Sequence, residues 1–267
     1  MTPPADAKRA AKASRAGTLF DVCGYFRRGF AFEEFPAAPG VPVRGTVVLI
    51  HGLLMRAPSM SLLAERFAAA GFRAFVYDYP TCRLGVFRHG EILRERLRGL
   101  FEKLPAGEKI FFATHSMGGI LLRVALSEFS REELARVAAV AMFAPPNQGS
   151  FWPERVRKIF PPARFLCRCL PDLRHTEDSP LRRIPLPKNG AFPPLLIVRG
   201  ERDAKVAPQF LPLPGVPARV VSAPCGHAAL RRSREAFAHA LNFFETLRNS
   251  FSAPSSCPRE KFSFSRF

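Results

Sequence analysis

Residues 112–119 read F-A-T-H-S-M-G-G, an apolar run that stops at a serine and passes through two glycines into a helical pattern. A nucleophilic serine needs its Oγ exposed at the tip of a sharp strand-to-helix turn, and this spacing provides one around Ser116. Gly118 and Gly119 suit the crowding of such a turn, where a side chain would meet the preceding strand. Thr114 stands where the usual G-x-S-x-G has its first glycine, so the motif is degenerate. A short Ser/Gly turn ahead of a helix also serves as a helix N-cap and nothing more. A serine hydroxyl is a weak nucleophile near neutral pH, so the chemical reading requires a base and a group that orients it.

Three further segments supply partners. G-T-V-V-L-I-H-G at 45–52 is a buried-strand run ending in His-Gly, and L-L-I-V-R-G-E-R-D at 195–203 is another ending near an acid. S-A-P-C-G-H-A-A-L at 222–230 sets His227 between a strand-like run and a helix. The order Ser116, Asp203, His227 is the chain order of the α/β-hydrolase triad. Here the chain resembles the α/β-hydrolase superfamily. Y-D-Y-P at 77–80, T-H-S-M-G-G-I-L-L-R at 114–123 and A-P-P-N-Q-G-S at 144–150 are similar to the bacterial serine esterase and lipase branch related to triacylglycerol lipases and GPI inositol-deacylases, over roughly residues 43–248. The role of P-N-Q-G-S does not follow from its residues.

The resemblance implies an α/β-hydrolase fold, with a mostly parallel central sheet, helices on both faces and a lid-like insertion. It assigns His227 as the base that takes the Ser116 proton and Asp203 as the acid that fixes the imidazole. Asp78, Asp172, Asp178 and Glu201 compete with Asp203; Asp78 precedes the serine and reads as a loop hydrogen-bond acceptor, and Asp172 and Asp178 fall in the insertion. The backbone N–H groups of Met117 and Leu53 are the expected oxyanion donors. His51, Trp152 and Phe160 are the expected substrate contacts, with His51 shaping the loop before Leu53, and His115 reads as a packing residue. The implied reaction is cleavage of a carboxylic ester, small or lipidic, through an acyl-enzyme. Acyl transfer and thioester cleavage use the same triad. A reading from another class is a non-catalytic basic scaffold that binds lipid or nucleic acid. No cofactor is expected.

The chain has 267 residues, 47% hydrophobic, enough for one large buried core. Its 40 basic and 22 acidic residues leave a net charge of +18. Such a field attracts anionic partners. Weak association with an anionic membrane surface is one expectation, and a dispersed charge background without a partner is the other. The basic residues are not interleaved with aromatics in a nucleic-acid-binding module, so no specific nucleic acid is expected. Lys8, Arg9, Lys12 and Arg15 precede no apolar signal core, and no apolar stretch approaches the roughly 18–20 residues of a membrane span. A cytoplasmic, at most peripheral, location is expected. Six dispersed cysteines read as reduced thiols, and no Cys/His spacing suits a metal.

Three parts are expected: a basic tail at 1–18, a hydrolase domain at 19–248, and a basic Phe/Ser-rich tail at 249–267. Strands are expected at 47–50, 73–77, 110–113, 137–143, 195–198 and 219–221, with an early strand or hairpin within 21–35. Helices are expected at 59–70, with Leu62, Leu63, Phe67 and Ala70 inward, and at 91–104, 117–129 and 235–247. The segment at about 150–189 interrupts the alternation as an amphipathic insertion, either a lid or a satellite of the core.

Overall fold

The computed structural model describes Tyr25 and residues 29–252. The predicted tail at 1–18, and all but the first few residues of the predicted C-terminal tail, lie outside the described residues. The strands are β1 (Ala31–Phe35), β2 (Gly45–Ile50), β3 (Phe72–Asp78), β4 (Ile110–His115), β5 (Val137–Phe143), β6 (Leu195–Gly200) and β7 (Ala218–Ala223). They form one sheet in the order β1-β3-β2-β4-β5-β6-β7. β1 runs antiparallel at the edge and the other pairings are parallel. Parallel strands covered on both faces read as continuous apolar runs rather than alternating ones, as V-A-A-V-A-M-F in β5 does, with all seven of its residues buried.

The covering helices are α1 (Ser61–Ala69), α2 (Val86–Lys103), α3 (Met117–Ser127), the short α4 (Arg131–Arg136) and α7 (Arg234–Ser252). On one face Leu93 and Leu97 of α2 and Ile120 and Leu121 of α3 pack on Val48, Phe112 and Val140. On the other, Leu63 and Phe67 of α1 and Phe244 of α7 pack on Val47, Phe111 and Ala139. The predicted inward face of α1 is off by one position. Leu62 is 41% exposed and Ala64 and Ala68 are buried, so the inward face runs through Leu63, Ala64, Phe67 and Ala68, and the helix begins two residues later than predicted. α2 begins five residues earlier than predicted, where the carboxylate of Asp172 accepts the Val86 N–H at 2.8 Å. The sequence reading omitted α4, although Ser130 and Glu133 form a reciprocal capping box that announces it.

Register matters more to function than helix length does. Ile50 lies opposite both Tyr77 and Thr114, His115 opposite Phe143, and Gly200 opposite Ala223. The carboxyl ends of β2, β4, β5, β6 and β7 therefore finish at one edge of the sheet, where ligands of open α/β sheets bind.

Two helices on one face meet through a glycine. A Cβ on Gly90 would lie 2.4 Å from Val124 Cβ and 3.1 Å from the Leu121 carbonyl oxygen, so α2 and α3 touch backbone to side chain there. Gly90→Ala should destabilise the fold by about 1–3 kcal/mol, the range for overpacking a filled core, despite alanine's higher helix propensity. Urea unfolding measures this; an unchanged or raised midpoint would show that the helices can separate at little cost.

Candidate active site

β4 ends at His115 and α3 begins at Met117, leaving Ser116 alone to reverse the chain. It does so at φ 53°, ψ −124°, a conformation L-residues rarely adopt, and its N–H is held by the Phe143 carbonyl at 2.8 Å. The strain is tolerated because neighbours cannot be other than glycine. A Cβ on Gly118 would sit 2.4 Å from the Ile50 oxygen and 2.7 Å from the His51 oxygen. One on Gly52 would sit 3.0 Å from Ser116 Cβ. The loop after β2 is thereby pressed against the serine, and Leu53 lines the same cavity as Ser116. Met117 is fully buried at the first position of α3, where helix N–H groups lack intrahelical acceptors.

Asp203 and His227 leave the ends of β6 and β7. Asp203 Oδ1 accepts the N–H groups of Lys205 at 2.8 Å and Val206 at 3.0 Å, which turns Oδ2 toward His227 Nδ1 at 2.8 Å. Burial pushes the Asp203 carboxyl up, but the His227 hydrogen bond and charge and the two backbone donors outweigh it and hold the carboxyl below its ordinary value. Beside them His115 is fully buried; its Nε2 lies 3.0 Å from the His227 carbonyl oxygen. Burial, reinforced by the charge of His227, pushes the His115 pKa down to about 3. At neutral pH His115 is therefore an uncharged donor to that carbonyl.

Ser116 and His227 line one cavity of about 130 Å³ with Leu53, Trp152, Ser150 and Val206. Lys205 Nζ lies 5.1 Å above the Trp152 ring. Ser116, Asp203, His227, Leu53 and Trp152 are thus brought together. Two predicted substrate contacts are not. His51 is fully buried, stacked on Tyr79 at 4.2 Å with Nε2 3.4 Å from Asp78, and it does not line the cavity. Tyr79 donates to the His51 carbonyl at 2.7 Å, and Asp78 accepts from Ala57 N–H and Arg56, so His51 is part of a polar brace under the Leu53 loop. Phe160 is 50% exposed at the far end of its helix, also off the cavity.

The insertion comprises α5 (Trp152–Ile159), α6 (Ala163–Leu166) and two single turns (Pro171–Leu173 and Pro180–Arg183). It is seated by Cys167, Cys169, Leu170, Leu173 and Leu181, all buried in the core face that holds α2 and α3. The P-N-Q-G-S segment, opaque in sequence, is its joint. Gly149 has φ 90°, and a Cβ there would lie 2.2 Å from the Arg174 oxygen. Ser150 N–H reaches the Leu173 oxygen at 3.0 Å, and Ser150 Oγ donates to the Lys205 carbonyl. The Asn147 amide donates to the Leu211 carbonyl at 2.7 Å, and Gln148 N–H to that of Phe210 at 3.0 Å. Ser150 and Leu173 of the predicted insertion line the cavity, and Pro146, Lys205 and Val206 line it without having been expected there.

No protein-family model and no curated protein matches the chain. Solved structures do. A lipase of Bacillus licheniformis, BlEst2 in its mature form, superposes with TM-score 0.58 at 16% identity, over 80% of this chain and 98% of that one. A thermophilic esterase of Thermogutta terrifontis, Est2 with propionate bound, gives 0.54 at 16% identity over 88% and 98%. Esterase PE8 gives 0.53 at 14% over 82% and 100%. The chain has the α/β-hydrolase fold. Its loops leave the carboxyl edge of a mostly parallel sheet.

The Asp203 geometry fixes a pH dependence. A carboxyl whose folded value lies below its ordinary value of 3.8 stabilises the fold above that pH, and the contribution is lost as pH falls through the folded value. Thermal midpoints should therefore drop as pH is lowered below about 4. Asp203→Asn should be less stable at pH 7 and should fall less steeply across that acid window. A variant with the wild-type slope would show that the Asp203 contacts do not survive in solution.

Proposed function

We propose that the protein is a serine hydrolase that cleaves carboxylic esters through an acyl-enzyme formed on Ser116. The observation that carries the reading is the 2.8 Å contact of Asp203 Oδ2 with His227 Nδ1, in a chain where His227 and a left-handed Ser116 line one cavity. Lipase and esterase names among the structures of similar fold favour ester chemistry over other uses of the same frame.

The residues divide the work. Because Asp203 Oδ1 is saturated by two backbone donors, its remaining oxygen holds the proton on His227 Nδ1, and the lone pair of Nε2 is left to act as base. Ser116 Oγ bonds to the ester carbonyl carbon as its proton passes to Nε2, and the carbonyl oxygen takes the negative charge. The N–H groups of Met117 and Leu53 are the donors for that oxyanion; each such donor is worth on the order of 10²–10³ in rate. The C–O bond then breaks, the alcohol leaves with the proton from Nε2, and water repeats the sequence to release the acid. An alcohol or thiol replacing water, or a thioester replacing the ester, uses the same steps. The cavity of about 130 Å³ is smaller than the roughly 300–1,000 Å³ of common ligand sites, which favours short acyl groups.

Ser116→Ala should lower ester turnover by about 10⁴-fold or more while leaving the unfolding midpoint nearly unchanged. Adding His227→Ala to it should cost little more, because members of one catalytic unit do not contribute additively. A fluorophosphonate should label folded wild-type protein one to one at Ser116. Absence of labelling together with full activity of Ser116→Ala removes the reading, and absence of both labelling and activity favours the non-catalytic scaffold.

We also propose that the insertion rests on anionic lipid surfaces. Ile159 is 85% exposed, Phe160 50% and Leu166 52%, and the exposed Arg155, Arg157, Lys158 and Arg168 surround them. Each basic group near an anionic surface is worth about 1 kcal/mol, fading within a Debye length of roughly 10 Å at 0.1 M salt. Co-sedimentation with vesicles rich in anionic lipid should be stronger at low salt and weaker for Ile159→Ser. Equal binding to neutral vesicles, or none to either, leaves the charge as background. No helix among the described residues is long and apolar enough to cross a membrane.

A further inference from the structure

Seven residues beyond Ser116, two turns along the same face of α3, stands Arg123. It is 5% exposed and has no carboxylate partner among the described residues. Its oxygen partners are neutral. Nη1 donates to the Asn147 carbonyl at 2.8 Å and lies 3.5 Å from its side-chain oxygen, and Nη2 reaches the Leu181 carbonyl at 3.3 Å. Burial alone pushes its pKa down to about 10, so it remains a cation at neutral pH. A charge taken out of water is costly unless a counter-charge meets it, and a guanidinium has five N–H groups to offer.

Arg123 borders a cavity of about 280 Å³, separate from that of Ser116. Arg182, exposed to solvent, lines the same cavity, as do Asn147 and Gln148, whose side-chain amides donate to the Leu211, Gln209 and Pro212 carbonyls. The remaining wall is apolar: Ile184, Leu186, Leu213 and Pro214. The lining thus combines two arginines with aliphatic side chains. The loop carrying Pro146 and Ser150 at the first cavity carries Asn147 and Gln148 at the second.

We propose that this second cavity is a binding site for an amphiphilic carboxylate. The carboxylate is held by Arg123 and Arg182, whose forked donors match its two oxygens, and a short aliphatic tail lies on Ile184, Leu186 and Leu213. The aliphatic wall is what separates this ligand from an inorganic anion, which needs no such surface. A purely structural Arg123, bracing Asn147 against Leu181, makes the same three contacts and predicts no ligand at all.

The test uses the full chain with ¹³C-labelled Ile, Leu and Val methyl groups, titrated in parallel with octanoate, 1-octanol and inorganic phosphate. Octanoate should move the Ile184, Leu186 and Leu213 methyl signals saturably, with at least tenfold tighter half-saturation than octanol or phosphate. Arg182→Ala should weaken octanoate by threefold or more without shifting the unfolding midpoint, since Arg182 is exposed. Arg123→Met should abolish the response, and Arg182→Ala keeps the test decisive if that variant does not fold. Three results overturn the proposal: shifts confined to Leu53 and Val206 at the first cavity, an octanol or phosphate response equal to that of octanoate, or no saturable response in the second cavity. The readout contains no ester turnover, so its failure and that of the hydrolase reading are separately visible.

Discussion

The turn at Ser116 is the constraint on which the rest of the molecule depends. Holding a non-glycine residue at φ 53° costs on the order of 1–3 kcal/mol, and it persists only where the surroundings over-determine it. They do so from three sides. The Phe143 carbonyl anchors the Ser116 N–H, the carbonyls of Ile50 and His51 occupy the space a Cβ on Gly118 would need, and Gly52 closes against the Ser116 Cβ. These contacts come from the ends of β5 and β2, and Ser116 itself follows β4, so the turn exists only when β2, β4 and β5 are in register. A slip of one residue between β2 and β4 would remove both the space for α3 and the neighbour that makes the cavity.

The insertion is wired into the same edge by polar contacts that themselves need buried positions. Asp172 caps α2 at Val86, and burial raises its pKa even though that N–H and Arg174 favour the charged form. A Cβ on Gly85 would lie 2.9 Å from that carboxylate, so the close approach depends on glycine. Ser150 and Gly149 bring the Leu173–Arg174 backbone alongside the loop after β5. The wall of the cavity is therefore fixed at Ser150 and Leu173. The apolar residues of α5 and α6 split: Trp152 and Val156 pack inward, and Ile159, Phe160 and Leu166 face solvent. The segment thus packs on the core through some residues and reaches the cavity through Ser150, Trp152 and Leu173.

Much of this was legible in the sequence because it is set by local rules. Continuous apolar runs gave β4, β5 and β6 to within a few residues, since strands buried on both faces leave no other pattern. The turn chemistry around Ser116 and the positions of Asp203 and His227 after strands were readable for the same reason. The joints were not. Nothing local in Gly149 announces the Arg174 backbone, and nothing in Asp172 announces a helix that begins at Val86, because each partner is far away in the chain. His51 illustrates the error this produces. Its place before the Gly52 loop suggests a substrate contact, but the ring turns inward, where Asp78 and Tyr79 at the end of the neighbouring strand give it a nearby carboxylate and a stacking surface. Phe160 misled differently: helical spacing identifies a face without saying whether the protein or the solvent lies against it.

Burial holds two of the histidines, His89 and His115, well below the ordinary imidazole value. His89 is buried against Tyr79 and Phe30, and burial together with His51 and Arg83 pushes its pKa down to about 4. His115 is held lower still, at about 3, with its ring 4.9 Å from that of His227. A charged His115 at that distance would oppose any positive charge arriving on His227, as the proposed mechanism requires each time the base takes a proton. Kept neutral, His115 instead donates from Nε2 to the His227 carbonyl and fixes the backbone from which the base projects. Asp203 supplies the opposite sign on the other side of the ring. The electrostatic asymmetry around His227 therefore lies in its neighbours: both imidazoles line the cavity, but the carboxylate of Asp203 meets His227 on one side and a neutral, fully buried His115 meets it on the other.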